Sequence, residues 1–77
     1  MNLSGPRIRA ARALQKPSMS QEQLAAKLEL KGVPMSQAVL SKIELGTRYI
    51  TDIELYEIAR ILDVGILWLM DKKDKAD

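Results

Sequence analysis

Helix start and stop signals recur so closely along these 77 residues that the chain reads as a row of short helices. Pro6 stands where a first helical turn has no use for an N–H, ahead of Ile8, Ala11, Arg12 and Leu14, and Pro17 ends that stretch. Ser20 precedes Gln23 by three residues, the spacing of a capping box. The helix that follows turns Leu24, Ala25 and Leu28 inward and stops at Gly32, after which Val33-Pro34 leaves the α region. Ser36 caps a third helix with Leu40 and Ile43 inside and Gly46 as its stop, leaving Gln37, Ala38, Ser41 and Lys42 pointing out. Thr51 and Glu54 form a second capping box, and Leu55, Ile58, Ala59 and Leu62 make the strongest amphipathic stripe of the chain. A short fifth turn, Ile66 to Met70, closes the core. There is no β-strand alternation, no internal repeat and no linker, so the expected fold is all-α, a compact domain of five helices.

Composition sharpens what such a domain can do. Aromatic residues are limited to Tyr49, Tyr56 and Trp68, so the core is aliphatic. The chain has no Cys and no His, which removes zinc sites, thiolate nucleophiles and imidazole acid–base chemistry together. The carboxylates Asp52, Glu54 and Glu57 offer no rigid partner, and Glu54 already serves as a cap, so no catalytic residue, metal ligand or cofactor is expected. The longest apolar run, Val64 to Met70, is broken by Gly65 and falls far short of the roughly 20 residues that span a bilayer. No export signal opens the chain, and the expected location is the cytoplasm.

The net charge of +2 conceals an asymmetry. Residues 1–19 carry Arg7, Arg9, Arg12 and Lys16 with no acid, giving +4. Residues 20–50 give +1 and residues 51–77 give −3. A basic front and an acidic back suit a polyanion-binding face opposite a solvating one, although charge runs are also ordinary solvated surface.

Two helices joined by a turn, the second opening on an outward row of Gln, small and Lys residues, are what a reader of the DNA major groove requires. The run Ser20-Gln21-Glu22-Gln23-Leu24-Ala25, followed by Ser36-Gln37-Ala38-Val39-Leu40-Ser41-Lys42-Ile43-Glu44-Leu45-Gly46, resembles the helix-turn-helix family of phage Cro and cI repressors, the XRE type. The resemblance continues through Leu55, Ile58-Ala59, Leu62 and Val64 to Trp68-Leu69. It implies a sequence-specific, DNA-binding transcriptional regulator, expected to be a repressor acting as a homodimer on a two-fold operator.

Residue by residue, the resemblance implies that Gln37, Ala38, Ser41 and Lys42 face base edges. Ser20, Gln21, Ser36, Thr47 and Arg48 would meet the DNA backbone, with Gln21 also bracing Gln37. Arg12 and Glu44 match an ion pair tying the first helix to the end of the reading helix. Without the resemblance, the outward row is better read as an ordinary solvated helix face, and Arg12 and Glu44 as unrelated surface charges. Trp68, Leu69 and Met70 are expected to plug the core rather than to form a dimer contact.

This chain departs from the family pattern in length, with about five extra residues between Leu28 and Ser36 and about two between Arg12 and Ser20. The tight glycine turn is therefore replaced: Glu29-Leu30-Lys31 extends the first motif helix before Gly32-Val33-Pro34-Met35 bends back. The expected organisation is an N-terminal extension at 1–5, the DNA-binding domain at 6–70 and a charged tail at 71–77. The rival reading keeps the fold but makes the chain an antitoxin-like module whose partner is a protein, which calls for an exposed apolar patch or a tail that folds on binding.

Overall fold

A computed structural model describes residues 4–70 and resolves them into five α-helices with no strand among them. They are α1 (Gly5–Leu14), α2 (Gln21–Leu30), α3 (Gln37–Leu45), α4 (Asp52–Leu62) and α5 (Ile66–Leu69). The expected tail at 71–77 lies outside the described residues. No helix of the described chain is long and apolar enough to cross a membrane.

The caps form where the sequence places them. At α2, the Gln23 N–H donates to Ser20 Oγ at 3.0 Å and the Ser20 N–H donates to Gln23 Oε1 at 2.9 Å. Ser36 Oγ accepts from the Val39 N–H at 3.1 Å at the start of α3. Thr51 and Glu54 make the reciprocal pair at α4, at 3.2 and 2.9 Å. Each cap satisfies backbone donors that the first helical turn leaves unpaired.

The first helix starts earlier than its proline suggests. Gly5 is already helical, and both Ser4 and Gly5 are buried, although the sequence assigns them to an extension. A Cβ on Gly5 would lie 2.6 Å from the carbonyl oxygens of Ile43 and Glu44, so only a hydrogen there lets α1 settle on the end of α3.

The long connection after α2 is part of the core. Gly32 takes φ +81°, a conformation open to glycine at little cost, and the Val33 N–H reaches back to the Leu28 carbonyl at 3.0 Å. This return turns Val33 and Met35 inward, where each is only 6% exposed. The extra turn of α2 extends to Leu30, whose side chain is left in solvent.

One aliphatic core results, built from Ile8, Leu24, Leu28, Leu40, Ile43, Ile58, Leu62 and Leu69, all essentially inaccessible to water. α3 packs against α1 and α2. α4 packs against α2 and α5, and α1 touches α4 and α5. The expected fifth turn ends one residue earlier, at Leu69, and Leu69 is its fully buried plug. Trp68 is only partly buried, with the Arg7 guanidinium 4.7 Å from its ring centroid and Arg7 Nη1 donating to the Trp68 carbonyl at 3.3 Å. One of the four cations of the basic front is thereby turned to an internal task.

Candidate nucleic-acid interface

Position along α3 separates its inner and outer residues. Leu40 and Ile43 fix the helix to the core, and Gln37, Ala38 and Lys42 are exposed on its other side. Ser41 is half-buried and looks toward α1, lining a cavity of about 190 Å³ with Arg9, Arg12, Gln21, Glu44 and Leu45. The four residues expected to read bases are thus split, three on the open face and one on its flank.

A chain of side-chain contacts runs from α1 through α3 and α2 to the exposed start of α3. Arg12 Nε donates to Glu44 Oε2 at 2.7 Å and Nη2 donates to Glu44 Oε1 at 2.8 Å, a two-pronged pair with side-chain exposures of 14% and 4%. Arg12 Nη1 also donates to the Met19 carbonyl at 2.8 Å, so the same guanidinium holds the loop before α2. Glu44 Oε1 accepts a further hydrogen bond from Gln21 Nε2 at 3.0 Å. Gln21 Oε1 in turn accepts from Gln37 Nε2 at 3.2 Å. The structure therefore brings together Arg12, Gln21, Gln37 and Glu44, four residues spread between positions 12 and 44 of the sequence.

The remaining residues expected at the DNA backbone are engaged in local structure. Ser20 and Ser36 use a hydroxyl lone pair as caps, which leaves each O–H able to donate outward. Thr47 turns its hydroxyl to the Lys42 carbonyl at 3.3 Å, and its N–H meets the same carbonyl at 3.0 Å, so it closes α3. Arg48 grips Glu54 with both arms, Nη1 to Oε1 at 3.0 Å and Nη2 to Oε2 at 3.1 Å, and Nη1 also donates to the Tyr49 carbonyl at 3.0 Å. That grip raises the Arg48 pKa above its ordinary value. Burial pushes the Glu54 carboxyl up, but the Arg48 hydrogen bonds and the Thr51 N–H outweigh it and hold the group below the usual carboxylate range.

Motif reasoning missed one contact between expected residues and two further residues, Gln15 and Arg9. The Gln21–Glu44 contact joins two residues that the family pattern treats separately. Gln15 Nε2 donates to the Leu62 carbonyl at 3.1 Å and ties the end of α1 to the end of α4. Arg9 lies beside the reading helix, and its spacing of three from Arg12 was the available signal, since such residues share a helix face. Among the described residues no group of acidic side chains is arranged to hold a metal ion.

A helix-turn-helix family model matches residues 8–69, from the first turns of α1 to the end of α5. No curated protein and no solved structure matches the chain.

Proposed function

The chain belongs to the helix-turn-helix family, a DNA-binding regulator by that membership, and from this premise we propose that it is a repressor binding a two-fold operator as a homodimer. In this reading α3 enters the major groove, where an α-helix fits and its first turns reach base edges. Gln37, Ala38 and Lys42 read bases: a Gln amide matches adenine, a Lys ammonium matches guanine O6 and N7, and an Ala methyl can touch the thymine methyl. Ser20, Gln21 and Ser36 donate to phosphates beside it, and Arg48 meets the backbone from the position in which Glu54 holds it.

The observation that carries the reading is the bracing of Gln37 by Gln21, itself held by Glu44. An exposed glutamine on an ordinary solvated face has no reason to be held by a relay that begins in a nearly buried ion pair. A single copy offers few base contacts, whereas specific DNA affinities are commonly about 10⁻⁸ to 10⁻¹¹ M, which favours two copies on one site. Exposed apolar side chains at Leu45, Tyr49 and Ile53, around the turn from α3 to α4, also favour a protein contact. The second copy is the occupant proposed here, and an antitoxin-like role would place a different protein there. Action on DNA in the cytoplasm completes the proposal.

Selection of duplexes from a random pool tests it. The expected result is a two-fold motif with half-site centres about 10 base pairs, one helical turn, apart, bound as a dimer. Failure to enrich any motif, with the protein folded, would overturn the sequence-specific reading.

A further inference from the structure

The cavity where α1, α2 and α3 meet is lined by Arg9, Arg12, Gln21, Ser41, Glu44 and Leu45 and encloses about 190 Å³. Its charges do not balance. Arg12 and Glu44 neutralise each other through their two-pronged pair, so they contribute little net field at the mouth. Arg9 is exposed, has no ion pair with another described residue and is left as the net positive charge of the site. Its neighbours are donors. The Gln21 amide gives one N–H to Glu44, and the second N–H of the same nitrogen remains to be used. Ser41, half-buried one turn beyond Gln37 on α3, adds a hydroxyl.

We infer that this cavity seats a phosphate of the DNA strand bordering the groove, with Arg9 as its cation and Gln21 and Ser41 as its neutral donors. The inference rests on the proposed operator-binding role and extends it to a residue, Arg9, that neither the motif nor the family pattern assigns. It also moves Ser41 from base reading to backbone contact. The location follows from the relay: Gln21 lines the cavity and is bonded to Gln37, so a duplex read by Gln37 runs past the mouth. The chemistry follows from the donor set, because a guanidinium with two flanking neutral donors matches the oxygens of a phosphodiester and carries no base information. The basic front then resolves into distinct tasks, with Arg7 against Trp68, Arg12 against Glu44 and Arg9 toward DNA.

The test is the salt dependence of binding to the selected duplex by the full chain. Each neutralised phosphate contributes about −0.9 to the slope of log K against log salt concentration. Arg9→Gln is expected to make that slope shallower by about 0.9 while leaving the selected motif unchanged. Lys27→Gln removes the same charge from the exposed side of α2 and is expected to leave the slope as it is. Ser41→Ala is expected to weaken binding to all sequences alike. Equal slopes for Arg9→Gln and wild type, or equal losses in the Arg9 and Lys27 variants, would overturn the seat. So would a shifted base preference in Ser41→Ala. A wild-type protein that binds no duplex at low salt would instead defeat the operator-binding reading itself, and the seat with it.

Discussion

Gln21 Nε2 donates to Glu44 Oε1 at 3.0 Å, and this contact decides which way round the Gln21 amide stands. A carboxylate has only acceptors, so Gln21 must offer it an N–H, and the Gln21 carbonyl is left to face Gln37. Gln37 answers with its own N–H at 3.2 Å. Its second N–H and its carbonyl oxygen then remain as a donor and acceptor in a fixed order, the order that adenine N7 and N6 complement. Gln21→Leu frees the Gln37 amide to turn. The expected outcome is a relaxed preference at one operator position with the others retained, read by selection from a randomised pool. An unchanged preference at every position would show that Gln37 needs no brace.

The Arg12–Glu44 pair supports that order from below. With side chains 14% and 4% exposed, each charge is poorly hydrated once the other is gone. Arg12→Met or Glu44→Leu alone is therefore expected to cost about 3 to 5 kcal/mol, a large share of a small domain's stability. The double variant should lose much less than the sum, because no orphan charge remains. Urea melts of the three variants check this. Additive losses below about 1 kcal/mol each would mean that the pair behaves as a solvated one.

What could be read in advance was what depends on neighbours in sequence. Ser20 with Gln23, Ser36, and Thr51 with Glu54 declare their helices because a cap needs only a residue three positions away. The stripe of Ile58, Ala59 and Leu62 declares its buried face for a similar reason, as helical period is local. Val33 and Met35 gave no such signal, since their burial depends on where a connection folds after Gly32 rather than on any period. Arg48 was expected at the DNA backbone, and nothing in its neighbours in sequence announced its grip on Glu54. Glu54 was recognised as a cap, but a carboxylate with two oxygens can accept from Thr51 and from Arg48 together, and only tertiary placement reveals the second partner. Of the connected chain, the family resemblance supplied two links, Arg12 with Glu44 and Gln21 with Gln37, whereas the link between Gln21 and Glu44 depends on how two helices pack and had no signal in the sequence.

The Arg48–Glu54 pair makes stability depend on pH. Glu54 is held below the usual carboxylate range in the folded chain, so the folded state favours its ionised form. That contribution is present above the unfolded carboxylate value, about 4.3, and is lost as pH falls through the lower folded value. Glu54→Gln is therefore expected to be less stable than wild type at neutral pH, with the gap narrowing on acidification below about pH 4. Thermal melts of both proteins from neutral to acid pH provide the measurement, the other carboxylates cancelling in the comparison. A gap of constant size would assign the loss to altered packing instead of to charge.

Gly5 decides how closely the first helix can approach the reading helix. Its missing Cβ would stand 2.6 Å from the Ile43 and Glu44 carbonyl oxygens, and these are backbone atoms within a helix, unable to swing aside. Gly5→Ala must lift α1 from the end of α3 and draw Arg12 away from Glu44, which loosens the relay at its root. The expected loss is about 1 to 3 kcal/mol, the usual range for overpacking a close contact. A decline in operator affinity should accompany it. Gly65→Ala is the control: a Cβ there meets nothing within 4 Å, and its φ of −73° suits any residue. That variant should change stability by no more than about 0.5 kcal/mol. Equal urea midpoints for the two variants would mean that α1 and α3 have room between them, and that the placement of Arg12 beneath Glu44 does not depend on a bare backbone at position 5.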